Sequence, residues 1–290
     1  MLYEVPYNFD ERIITFYRKN ISYINYLYLP PFKDDSDNAR TNVQSKKIGH
    51  CYMPQTRAEY ERHLQRITDA GLRFVVLWQI RDKEISKDIL DYYCHNHASG
   101  FIVASDANAQ IIKEYNNKLL VICSIVQKIC SDVIKRDLSI YDYVILYYPF
   151  NRGLDALQQI RHLKDKLILM PNTLCHVDCP SVHHWFGSNG VDVCCPINID
   201  YIGKCGLILP HDITLFDKFV AGYKIQGREY STEVIKYLCH FYFHRTKYSD
   251  FIDPFVGPEL ARRIKEVTNN TPPEQYYNTE SSNLLSKMGV

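Results

Sequence analysis

Up to Met170, short apolar runs alternate with longer stretches in which apolar residues recur at helical spacing. Ile21 to Leu29 (ISYINYLYL) reads as a strand that stops at Pro30-Pro31. Arg57 to Ala70 reads as a helix, closed by Gly71 in the position where a left-handed residue caps a helix. Phe74 to Leu77, Phe101 to Ala104, Lys118 to Ile125, Tyr143 to Tyr148 and Lys166 to Met170 follow as strands. Between them lie helical patterns at Lys87 to His97, Ala107 to Tyr115, Cys130 to Arg136 and Leu154 to Leu163. Continuous apolar strands separated by amphipathic helices predict parallel pairing with helices on the outside. Gly206 to Leu209 and Ala221 to Ile225 add two strands, and Thr232 to Phe243 a helix that closes the fold. Ile21, Phe74, Phe101, Leu119, Tyr143, Leu167, Leu207 and Tyr223 then stand for eight strands. That number favours an α/β fold of the single (β/α)8 TIM-type barrel kind over a doubly wound open sheet, and the length agrees with the roughly 250 residues usual for it.

Three stretches break the pattern. Phe32 to Lys47 is charged and without periodicity, which predicts a long loop that is mobile until a ligand orders it, with Arg40 reaching inward. Asn172 to Cys205 has little apolar periodicity and is crowded with cysteine. The segment after Val267 is polar and proline-bearing, so the division expected is a barrel over 1–267 and a polar tail over 268–290 that hangs off or packs late.

Composition excludes more than it selects. The 290 residues carry 34 basic and 33 acidic side chains, a formal net charge of +1, so no global field points to nucleic acid or to a membrane surface. No apolar run approaches the roughly 20 residues that span a bilayer, and MLYEVPYNFDER lacks the basic and apolar segments of a signal peptide. A cytoplasmic protein with reduced or metal-bound cysteines is expected. No Gly-rich phosphate loop, His-Glu-x-x-His or Gly-x-Ser-x-Gly occurs, which removes support for the corresponding nucleotide and hydrolase classes.

The chemistry concentrates where the pattern breaks. Five of the ten cysteines, Cys175, Cys179, Cys194, Cys195 and Cys205, lie between Asn172 and Cys205. Thiolates presented from loops suit soft metals, a tetrahedral zinc or an iron-sulfur cluster, and the residues alone name neither. Inert, buried thiols are the competing reading. Cys194 and Cys195 are alternatives for one ligand, because neighbouring side chains point in different directions. The other five, among them Cys123 and Cys239, fall in strand or helix patterns and read as packing residues. In a barrel the loops after the strand carboxyl ends form the active face. Counted on the strands above, the long loop follows the first, Ser124 and Gln127 the fourth, Asn151-Arg152 the fifth, the cysteine stretch the sixth and Gly227-Arg228 the eighth. Arg40, Asn151, Arg152, Lys224 and Arg228 would there bind a polar or anionic substrate through charge-assisted hydrogen bonds. A capping Asn with a solvated Arg is the other reading of Asn151-Arg152. His183-His184 could ligate metal or move protons, or pack as a loop feature beside Trp185-Phe186.

VPYNFD near the start, Cys123-Ser124-Ile125, Asn151-Arg152, PNTLCHVDCP and GYKIQGREYSTE, taken in that order, resemble the collagenase-like peptidase family labelled U-thirty-two, in a short single-barrel form. The resemblance runs from about Tyr3 to Tyr242, and its most specific parts are Asn-x-x-Cys-x-x-x-Cys-Pro and Tyr223-Lys224-Ile225-Gln226-Gly227-Arg228, which is similar to the family's Lys-Ile-Glu-Gly-Arg signature. That family includes oxygen-independent hydroxylation proteins of ubiquinone biosynthesis and RNA cytidine hydroxylases with a [4Fe-4S] cluster. The resemblance therefore implies an iron-sulfur oxidoreductase or hydroxylase acting on a small molecule or RNA, with a protein partner possible. The cluster would rest on Cys175, Cys179, Cys194 or Cys195, and Cys205. Cys205 stands in for a ligand that the family places near Ile213-Thr214, Gln226 replaces the usual Glu, and Ser181-Val182-His183-His184 replaces an arginine. A zinc-stabilised barrel with a binding or scaffolding role and a peptidase remain alternatives, although no nucleophile and base stand at a recognisable spacing.

Overall fold

A computed structural model gives the structure of residues 1–35, 53–80, 83–127, 129, 135–176, 205–228, 230–247 and 258–289, with backbone alone for 174–176, 258–261 and 263. Eight strands close into a wholly parallel barrel: β1 (Leu2–Pro6), β2 (Ile24–Leu29), β3 (Phe74–Trp78), β4 (Gly100–Val103), β5 (Leu120–Cys123), β6 (Tyr143–Ile145), β7 (Leu167–Leu169) and β10 (Gly222–Lys224). Closure is made by β1, which pairs with β2 on one side and with β10 on the other. Between β7 and β10 in sequence, β8 (Asn172–His176) and β9 (Cys205–Leu207) form a separate antiparallel pair.

The expected barrel is present, with one change of membership. Leu2–Pro6 supplies its first strand, which the sequence pattern does not reveal, and the Gly206–Leu209 run belongs to the β8–β9 pair instead. LYEVP is short and contains a proline and a glutamate, so only pairing on both sides makes it a strand. The count of eight stands, but the cysteine stretch follows the seventh barrel strand rather than the sixth, and the long loop follows the second rather than the first.

Alternation along the strands builds two cores. Val75, Leu77, Ile102, Ile122, Ile145 and Ile168 fill the barrel interior together with Tyr26 and Tyr28. Val76, Phe101, Val121, Val144 and Leu169 face outward into the layer beneath the helices. Gly100 is required by close approach: a Cβ there would lie 2.1 Å from the Leu120 carbonyl oxygen on the neighbouring strand. Four helices begin on a Ser or Thr that follows a strand carboxyl end, namely Arg57–Asp69 on Thr56, Lys87–His95 on Ser86, Asp106–Tyr115 on Ser105 and Thr232–His244 on Ser231. Each hydroxyl accepts a hydrogen bond from the backbone N–H three residues on, satisfying a donor that the first turn leaves free. The turn helix at Cys130 to Arg136 falls largely outside the described residues.

The segment expected as a polar tail is helical and packed. Helices Pro258–Asn270, Pro273–Tyr276 and Ser281–Met288 follow one another, and Tyr276, Tyr277, Leu284 and Met288 are buried. Among the described residues no helix is long and apolar enough to cross a membrane.

Candidate functional site

Buried polar residues lie at or just beyond the carboxyl ends of several barrel strands, among them Ser124 after β5, Asn172 after β7, and Lys224 and Arg228 on and after β10. Asn172, which opens the cysteine-bearing strand β8, is fully buried and donates from Nδ2 to the Gln226 carbonyl at 2.9 Å. Gln226 answers with its backbone N–H to Asn172 Oδ1 at 2.9 Å and its Nε2 to the Asn172 carbonyl at 3.0 Å. The root of the cysteine stretch is thereby tied to the end of β10, the strand of Lys224 and the turn of Gly227-Arg228. In this role the Gln226 side chain is a donor, which a carboxylate cannot be.

Lys224 and Arg228 are both 4% exposed. The Lys224 ammonium lies 4.0 Å from the centroid of the Tyr28 ring, a cation on an aromatic face, and the Tyr28 hydroxyl donates to the Ile225 carbonyl at 2.7 Å. Arg228 is different: its Nη1 and Nη2 are both buried without a hydrogen-bond partner. A buried guanidinium lacking an acceptor is costly, so the position calls for an anion. Gly227 makes the turn possible with a φ of +124°, and a Cβ there would meet the Tyr230 ring at 2.3 Å.

Across from Lys224 on the neighbouring strand lies Glu4, a residue to which the sequence reading assigned nothing. It is 1% exposed on β1, in register with Tyr26 of β2 and Lys224 of β10. The Tyr26 hydroxyl donates to Glu4 Oε1, while Oε2 is buried without a partner. Burial pushes the carboxyl up to about 8, against the opposing pull of Lys224. A Glu in an otherwise apolar strand near the chain start was the available signal.

Asn151 and Arg152 lie behind the mouth rather than across it. Asn151 Nδ2 donates to the carbonyls of Met170 at 2.8 Å and Gly206 at 2.5 Å, bracing β7 against β9. Arg152, fully buried, donates from Nε to the Cys205 carbonyl at 2.7 Å and from Nη1 to the Tyr276 carbonyl at 2.9 Å, and its guanidinium lies 3.5 Å from the Tyr276 ring centroid. Its own carbonyl accepts from the Glu280 N–H at 2.8 Å. Arg152 therefore joins β9 and the C-terminal helices to the barrel. Ser124 is buried at the mouth, where its Oγ accepts from Gln79 Nε2 at 2.9 Å. Gln127 instead turns to the Tyr141 hydroxyl and Arg136.

Cys205 is buried on β9, opposite His176 of β8 and within electrostatic reach of Arg152 and Tyr242. Cys175 is on β8, its side chain undescribed, and Cys179, Cys194, Cys195 and His183-His184 lie outside the described residues. Among the described residues no group of three or more His, Cys, Asp or Glu side chains is arranged to hold a metal ion. Cys123 and Cys239 are buried packing thiols, and burial raises Cys239 well above the ordinary thiol range. Arg40 and most of the long loop lie outside the described residues. The start of that loop is anchored: Asp35 accepts from Arg57 at 2.5 and 3.1 Å and from the Tyr93 hydroxyl at 2.7 Å.

No family model and no curated protein matches this chain. Two solved structures are similar to it. One is the U32 peptidase Mk0906, 12% identical with a TM-score of 0.49, covering 78% of this chain and 93% of that one. The other is the YdjI aldolase from Escherichia coli K12, 10% identical with a TM-score of 0.40, covering 99% and 91%. The first carries the family label that the sequence motifs resemble. Identities this low speak to fold alone, and neither score supports an argument about chemistry.

Proposed function

We propose that this chain is an iron-sulfur barrel enzyme of redox or oxygen-independent hydroxylation type, acting on a polar or anionic substrate at the carboxyl end of the barrel. The observation behind this reading is the three-bond exchange between Asn172 and Gln226, which sets the root of the cysteine stretch beside Lys224 and Arg228. The donor set supports the cofactor: five thiols within one short stretch fit a soft metal better than a hard one. Cys175, Cys179, Cys194 or Cys195, and Cys205 would hold the cluster, which supplies one-electron chemistry when bound. Lys224 and Arg228 hold the substrate's negative charge in a low-dielectric site, where a charge-assisted hydrogen bond is strongest. Asn151 and Arg152 position β9 and, through it, Cys205.

Anaerobic purification followed by an absorbance spectrum and by iron, sulfide and zinc analysis tests the reading. Iron with equimolar acid-labile sulfide is expected. Zinc without sulfide would replace it with a zinc-stabilised barrel, and a protein free of both metals would overturn it.

A further inference from the structure

The helix Thr232–His244 buries Ile235, Leu238, Cys239 and Tyr242 and leaves His240 and His244 exposed. It starts after β10, and its last turn reaches the beginnings of β1 and β2. There the Tyr3 hydroxyl donates to the Tyr242 carbonyl at 2.8 Å, and Tyr23, just before β2, stacks on Phe243 at 5.1 Å. The two histidines therefore stand at the amino end of the barrel, away from Lys224 and Arg228. Side chains four residues apart share a helix face, and these two ring centroids are 4.6 Å apart with their planes at 56°. Each ring also meets an aromatic neighbour edge to face, His244 with Tyr23 at 5.5 Å and His240 with Phe241 at 5.9 Å. Among the described residues no hydrogen bond engages a ring nitrogen of either histidine.

We propose that His240 and His244 form a two-point chelate for a divalent transition cation of the zinc, nickel and copper class. Imidazole nitrogen suits these ions and not the hard cations calcium and magnesium, and exposure leaves the remaining positions of the ion to water. Two imidazoles this close repel when both are protonated, whereas a shared cation turns the same proximity into attraction. Desolvation, and then His244, hold His240 below the usual imidazole range, which favours the unprotonated ring that can ligate. The neighbouring cations are already paired, Lys236 with Glu233 at 3.0 Å and Arg245 with Asp217 at 2.7 Å. The carboxyl end of the helix adds a partial negative charge in the same place. No cysteine takes part, so this site stands or falls independently of the iron-sulfur reading.

Nuclear magnetic resonance of the full chain carrying isotope-labelled histidine reads the two rings directly. Their signals are assigned by their loss in His240→Gln and His244→Gln, both exposed positions where the substitution leaves the packed side of the helix intact. Zinc is titrated at about pH 7.5, above the ordinary imidazole range, with its free level set by a chelating buffer. Because the readout is at the rings themselves, zinc taken up by the cysteines does not enter it. Both signals should shift together along one binding curve, and calcium or magnesium at the same level should move neither. In either variant the remaining ring should respond only at about a hundredfold higher zinc, since the lost ring acted at a high effective concentration. Signals that stay unmoved at millimolar free zinc, or that titrate separately, overturn the proposal. So does a remaining ring whose response is the same with and without its neighbour, because two independent histidines are then no chelate.

Discussion

Asn172 and Gln226, 54 positions apart, exchange three hydrogen bonds across the seam between the β8–β9 pair and the barrel. Each residue uses both its side chain and its backbone, so the pair fixes position and orientation together. Gln226→Ala removes the bond to the Asn172 carbonyl, and Gln226→Glu in addition turns a donor into an acceptor facing that carbonyl. Both should cost about 1–3 kcal/mol of stability, with Glu the worse of the two. Chemical denaturation of the two variants side by side checks the order, and equal stability of Gln226→Glu and the unaltered protein would show that the amide donor is unimportant.

Arg152 is expected to act on stability before it acts on substrate. Its guanidinium donates to Cys205 and Tyr276 carbonyls and stacks on the Tyr276 ring. Arg152→Met should cost about 2–4 kcal/mol, from lost charged hydrogen bonds and an unsatisfied pair of carbonyls. Limited proteolysis should cut within residues 258–289 before the barrel in that variant. Arg152→Lys should recover little, since an ammonium cannot occupy both acceptors and the ring face together.

Glu4 makes stability depend on pH in an uncommon direction. The folded chain holds the proton up to about 8 and a solvated carboxyl releases it near 4.5, so between these values the folded state binds more protons than the unfolded. Stability therefore falls as pH rises through that window, and is insensitive to this group outside it. Glu4→Gln should be close to neutral at pH 4 and stabilising by up to several kcal/mol at pH 9. Thermal melts at both values check this; a gain that is equal at the two would remove the titration from the account.

The cluster reading gives its own test in the cysteines. Cys175→Ala and Cys179→Ala should lose metal and leave the barrel folded, because the eight barrel strands close among themselves. Cys239→Ala, in the packed helix Thr232–His244, should leave metal content unchanged. Of Cys194→Ala and Cys195→Ala, one should abolish metal binding and the other be mild. Metal analysis with circular dichroism on the purified variants decides, and full occupancy in Cys175→Ala and Cys179→Ala would dismiss these thiols as ligands.

The sequence by itself determined the elements that local physics suffices to make. Apolar runs such as FVVL and FIVA are strands because both faces are buried, and the helices at Thr56, Ser86, Ser105 and Ser231 start where a hydroxyl can satisfy the first turn. Tertiary structure alone decided the rest. LYEVP is a strand because β2 and β10 pair with it, and the Gly206–Leu209 run is no barrel strand because β8 claims it first; nothing local separates the two cases. Arg152 has the composition of a mouth cation, and becomes a brace only because Tyr276 and Tyr277 pack over it from a segment that reads as polar tail. Glu4 and Lys224 stand 220 positions apart in the chain and meet only when the last strand closes on the first, because side-chain electrostatics acts through space and sequence periodicity records only what is near along the chain.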